Sequence, residues 1–130
     1  MKLKTVFTTN AILCFIFGIG FTLFPILTGS LFGITFTEPT AIPVRVLGAA
    51  FLGIGIMLWL VRNEPESNFR RAMVTASVVM DTVGLISLLF AQLSGFMNNF
   101  GWFLVGSYWY FCFVYWYYYF YKSSEDPFDN

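Results

Sequence analysis

Few residues in this chain could do chemistry, and one stands apart. Asp81 is the sole carboxylate inside four long apolar runs, near the middle of RAMVTASVVMDTVGLISLLFAQL. A charge at the centre of a bilayer costs about 2.5–3.5 kcal/mol even on lenient insertion scales. Such a residue therefore faces a partner, a water-filled cavity or a subunit interface, or it carries a proton. The chemistry this suggests is an ion or proton site. The other reading is a buried structural network, with Asp81 accepting hydrogen bonds from Tyr or Thr hydroxyls, or from Arg45, and fixing helix register.

The remaining candidates are set by their spacing from Asp81. Arg45 lies at the outer end of the second apolar run. At 1.5 Å per residue it differs from Asp81 in depth by roughly 8–10 Å, which an arginine can bridge. It can equally snorkel to the headgroups. Asn98 and Asn99 stand at the entry to the fourth run, with Tyr108 and Tyr110 deeper inside it. One arrangement is an outward-facing pocket with Asp81 as its floor and Arg45 and Asn99 as its rim. Tyr108 or Tyr110 would then donate a hydrogen bond to Asp81. Asn99 also has a plain alternative, because Asn is a preferred helix N-cap.

The fourth run, FGWFLVGSYWYFCFVYWYYYFY, is aromatic throughout. Trp102, Trp109 and Trp116 recur every seven residues and make one stripe with Gly106, Phe113 and Phe120. Its end, YWYYYFYK, suits an interfacial aromatic belt closed by a snorkelling Lys122. The belt does not account for Tyr108, Trp109 and Tyr110, which sit nearer mid-membrane. Either they pack in the core with local hydrogen bonds, or with Trp102 they contact a flat apolar ligand such as a quinone, carotenoid or sterol-like lipid.

Absences narrow the chemistry. The chain has no histidine, which removes the usual haem ligands and the commonest proton shuttle. Lysine occurs only at Lys2, Lys4 and Lys122, so no amine is placed for an intramembrane Schiff base. Cys14 and Cys112 lie in different runs with no C-x-x-C spacing, and read as small buried hydrophobes. No span carries two carboxylates, and no nucleophile motif is present. The expectation is a protein without a cofactor, without a nucleic-acid partner, and more plausibly a binding module or a transporter than an enzyme.

The elements that must position these residues are helices. The chain of 130 residues is 58% hydrophobic and 11% charged, against about 25% charged in a soluble domain. A bilayer-crossing helix takes about 20 apolar residues, and four windows qualify: 6–27, 42–61, 72–93 and 100–121. The first follows Lys2 and Lys4 but is too long for a signal core and lacks an A-x-A site, so it reads as a retained span. Pro25 marks its outer end. Short connectors make successive helices antiparallel neighbours. The expected fold is all-α: a polytopic four-helix transmembrane bundle, up-down-up-down, over residues 1–122, with a polar cytoplasmic tail at 123–130.

Orientation follows from the basic residues. With the N-terminus in the cytoplasm, Lys2, Lys4, Arg62, Arg70, Arg71 and Lys122 lie inside and only Arg45 lies toward the outside. Both termini are then cytoplasmic in a cell (inner) membrane. Lipid gives hydrophobic helices no reason to associate, so small residues mark contact faces. Ala49 with Gly53, Ala72 with Ala76, and Cys14 with Gly18 are spaced for this, either within the bundle or, through the second span, in a homodimer.

The stretch RVLGAAFLGIGIMLWLVRN, followed by FRRAM and then FGWFLVGSYWYF, resembles small four-span prokaryotic membrane proteins of the DoxX-like kind. The likeness covers roughly residues 24–121. It implies a four-helix bundle in the cytoplasmic membrane; members are largely of unassigned activity, and some are associated with membrane redox complexes. Small multidrug transporters are of similar length but carry a glutamate in the first span, which here has no carboxylate. The function expected from all of this is a non-catalytic membrane module, binding lipid or a flat apolar ligand or serving as an accessory subunit of a larger complex. The alternative is a small transporter or channel using Asp81 as its ion or proton site.

Overall fold

A computed structural model describes residues 2–122. The expected tail at 123–130 and the Lys122 side chain lie outside the described residues. The described chain is helical, with no strand: α1 (Leu3–Leu23), α2 (Pro25–Leu31), α3 (Glu38–Val61), α4 (Asn68–Leu93) and α5 (Gly101–Tyr117), the last running on into a π-helical turn, Tyr118–Lys122. Three of these helices, α1, α3 and α4, are long and apolar enough to cross a membrane.

Helix boundaries follow local chemistry. Proline lacks an N–H, so Pro25 ends α1 and takes the first position of α2, where no donor is needed. The short helix α2 fills part of what the sequence reads as a loop. It closes with Gly33 at φ 77°, where Gly33 N donates to Ser30 O and Ile34 N to Gly29 O. At the end of α4, Gly95 does the same at φ 77°, with Gly95 N donating to Gln92 O and Phe96 N to Ala91 O. Both turns use the left-handed conformation that glycine adopts without strain. Helix α3 starts four residues before the expected 42 because Thr37 and Thr40 form a reciprocal capping box; Thr37 N donates to Thr40 Oγ1 at 2.8 Å. Ser67 caps α4 by accepting from Arg70 N at 3.2 Å.

The helices pair into two antiparallel hairpins, α1 with α3 and α4 with α5, and the hairpins meet through the α1–α5 and α3–α4 seams. The first hairpin packs closely at Gly18 and Gly48. A methyl group built on Gly18 would lie 3.1 Å from Gly48 O, and one on Gly48 would lie 2.9 Å from Gly18 O. The glycines are what let the two backbones touch. Gly18 was legible as a contact residue. Its partner is not the Ala49–Gly53 pair: Ala49 and Gly53 are exposed, and Gly53 has open space around it. Ala72 and Ala76 are exposed as well.

The best-packed interior lies toward the end of the bundle that carries Lys2, Lys4, Arg62, Arg70 and Arg71. Val6, Phe7, Leu58 and Val61 are fully buried there, with Leu3, Met73, Val74 and Tyr118 around them. Outward, the helices present bare hydrocarbon: Ile16, Leu60, Ile86, Phe90 and Phe113 are all more than half exposed. A surface this apolar is matched to lipid rather than to water.

Candidate functional site: a buried carboxyl in a polar interior layer

Three helices supply the polar groups of the interior, each at helical spacing. Helix α1 gives Asn10 and Cys14, α4 gives Ser77 and Asp81, and α5 gives Tyr108, Cys112 and Tyr115. Residues four or seven apart share a face, so each helix turns one small polar stripe inward. Asn10 Nδ2 donates to the Tyr115 hydroxyl at 3.0 Å, and the Cys14 thiol reaches Asn10 Oδ1 at 3.6 Å. Ser77 interacts with the same Tyr115 hydroxyl. Beside this layer, Trp116 Nε1 donates to Thr82 Oγ1 at 2.9 Å, and Thr82 Oγ1 also meets Cys112 Sγ at 3.5 Å.

Asp81 sits one turn beyond Ser77, 4% exposed. Its Oδ2 is shut off from solvent and has no hydrogen-bond partner. The carboxyl lies close enough to Cys14, Tyr108 and Tyr115 to interact electrostatically with each. Tyr108 comes this near because of Gly84, one turn further along α4: a methyl there would collide with the Tyr108 ring. Buried polar groups are nearly always paired, so a carboxyl oxygen left without a partner invites a functional explanation.

The seven residues singled out from sequence separate into four places. Asp81 and Tyr108 are together in the interior. Trp102 and Tyr110 instead line a shallow groove of about 370 Å³ on the α1–α5 seam, with Thr9, Leu13, Phe103 and Phe111. Trp109 points away from the bundle, 61% exposed and stacked on Phe113. Arg45 and Asn99 are exposed at the far end. No ion pair joins Arg45 to Asp81 among the described residues, and the structure thus does not join the two directly. Of the polar groups near Asp81, Ser77, Asn10 and Tyr115 lie toward the basic end, and Tyr108 packs on Gly84 on the other side.

Asn99 does not cap α5 either. Phe100 occupies the N-cap position, without a side-chain cap. Asn98 organises this turn: its Oδ1 accepts from Phe100 N at 3.0 Å, and its Nδ2 donates to Leu31 O at 3.0 Å. Its backbone N–H donates to Phe32 O at 2.9 Å, tying the α4–α5 turn to the end of α2.

Asn10, Ser77 and Tyr115 were not among the residues chosen from sequence. The signal for Asn10 was present, as an amide within an apolar span four residues before Cys14. Tyr115 was hidden in the aromatic run, where only helix rotation separates it from Tyr110. Comparison with known proteins returned no match to a family model, a curated protein or a solved structure.

Proposed function

We propose that this protein is a small integral protein of the cell membrane whose working part is Asp81, a carboxyl that binds and releases a proton or a small cation within the bilayer. Its reaction class is transport or channel conduction, without covalent chemistry. The carrying observation is the shielded Oδ2 of Asp81, 4% exposed as a residue and without a hydrogen-bond or ion-pair partner. A carboxylate there would have no counter-charge, and only a proton or a cation supplies one.

In this reading α5 with its π-helical turn is a fourth crossing, completing an up-down-up-down bundle of the DoxX-like kind. The basic residues at the Lys2–Arg71 end support a cytoplasmic location for both termini. Reconstitution tests the proposal. Proteoliposomes with the wild-type chain should dissipate an imposed pH or cation gradient faster than empty vesicles, and Asp81→Asn should return the rate to that of empty vesicles. An Asp81→Asn rate equal to wild type would end the proposal.

A second reading rests on the α1–α5 groove. Its lining of Trp102, Phe103, Tyr110 and Phe111 suits an acyl chain or a flat apolar molecule, as a non-catalytic lipid-binding module or accessory subunit would need. Native mass spectrometry after gentle extraction checks it. A retained lipid lost on Gly106→Phe supports the groove as a site, and a ligand-free wild-type chain argues against it.

A further inference from the structure

Resting on the Asp81 reading above, we infer that the occupant of the site is a proton rather than a metal cation. The donor set decides this. Alkali and alkaline-earth ions need a shell of several oxygen ligands, typically six to eight for calcium. The polar side chains that share the interior with Asp81 include two phenols and a thiol, from Tyr108, Tyr115 and Cys14, and none of them is hydrogen-bonded to its buried Oδ2. The phenol hydroxyls carry hydrogen and can donate to a carboxylate, whereas the Cys14 thiol is committed to Asn10 Oδ1. The side-chain amide oxygen of Asn10 already accepts from Cys14, and the amide nitrogen is committed to Tyr115. No cluster of three or more His, Cys, Asp or Glu side chains suited to a metal exists among the described residues.

Every element packed on α4 agrees. Helix α5 turns Tyr108 and Tyr115 toward Asp81, and the π-helical turn adds Tyr118 nearer the basic end. The charged residues of α3, Glu38 and Arg45, lie in its outer half, Arg62 follows its other end, and none forms an ion pair with Asp81.

The way in points to the same ion. On the basic side of Asp81 the interior closes over Val6, Phe7, Leu58 and Val61, all at 0% exposure. A hydrated metal ion would have to shed its water before passing that plug. A proton needs only hydrogen-bonding groups to hop between, and on that side Tyr115 pairs with Asn10 and interacts with Ser77. The structure thus gives Asp81 proton-handling neighbours and denies it a coordination shell.

Labelling with a hydrophobic carbodiimide such as dicyclohexylcarbodiimide, which attacks the protonated carboxyl, tests the inference on the full-length protein in bilayers. Peptide mapping should find the adduct on Asp81 in the wild type and nowhere within the spans of Asp81→Asn. Labelling should rise as pH falls and stay the same in sodium, potassium, lithium, magnesium or calcium chloride, with choline chloride as the ionic-strength control. A cation that occupied the site at about 100 times its Kd would cut labelling about 100-fold. Protection by any of these ions would overturn the proton assignment while leaving Asp81 as an ion site. Absence of label on Asp81 at every pH would overturn it as well. The proposed function fails separately, through an Asp81→Asn flux equal to wild type.

Discussion

The side-chain amide of Asn10 donates to the hydroxyl of Tyr115 at 3.0 Å, joining α1 to α5 across 105 positions of sequence. It bridges the two helix hairpins inside the apolar interior, one layer below Asp81. Phe7 stacks obliquely on the same tyrosine ring, with centroids 6.0 Å apart. Interhelical hydrogen bonds in membrane proteins average about 0.6 kcal/mol by double-mutant cycle and reach about 1.7. A cycle of Asn10→Ala and Tyr115→Phe, read by reversible unfolding in mixed micelles, should give a coupling energy of about 0.5–1.5 kcal/mol. A coupling of zero would mean that the two side chains do not meet.

Gly48 and Gly53 provide a test of the α1–α3 packing. A methyl at Gly48 would sit 2.7 Å from Thr22 N and 2.9 Å from Gly18 O, both backbone atoms that cannot yield without moving a helix. Overpacking of this kind costs about 1–3 kcal/mol. At Gly53 nothing lies within 4 Å, and Ala is favoured over Gly in a helix by up to about 1 kcal/mol. Gly48→Ala should therefore destabilise the fold, and Gly53→Ala should be neutral or stabilising. If Gly53→Ala instead weakened the protein or disrupted an oligomer, that face would be a contact surface.

Asn98 and Asn99 are neighbours with opposite expectations. Asn98→Ala removes one bond to Phe100 N and one to Leu31 O. At about 0.5–1.5 kcal/mol per hydrogen bond, it should cost about 1–3 kcal/mol. Asn99→Ala should cost less than about 0.5 kcal/mol, the usual range for an exposed position. Melting temperatures of the two variants distinguish them, and equal shifts would contradict the turn as described.

Much of this was legible beforehand, for physical reasons. The lone acid in an apolar run marked itself, since hydrocarbon tolerates such a residue only when it is shielded, and Asp81 is buried. Pro25 announced a helix end because a missing N–H has only one local consequence. Rotation about each helix axis was not legible. One residue of offset is about 100° of turn, enough to put Tyr115 inside and Tyr110 in the groove. It also turns Gly48 inward and Gly53 outward. Arg45 looked reachable by depth alone, but depth says nothing of the face it occupies. Helix α2 was missed because seven residues between Pro25 and Leu31 carry no periodic signal.

The protonation of Asp81 in the bilayer is open to direct observation. Difference infrared spectra of the reconstituted protein, wild type against Asp81→Asn, isolate the C=O stretch of its protonated carboxyl. That band should be present at low pH, disappear reversibly as pH is raised, and be absent from the variant at every pH. A wild type and variant with identical spectra across the range would show that Asp81 does not exchange a proton, and would contradict a working role for the buried acid.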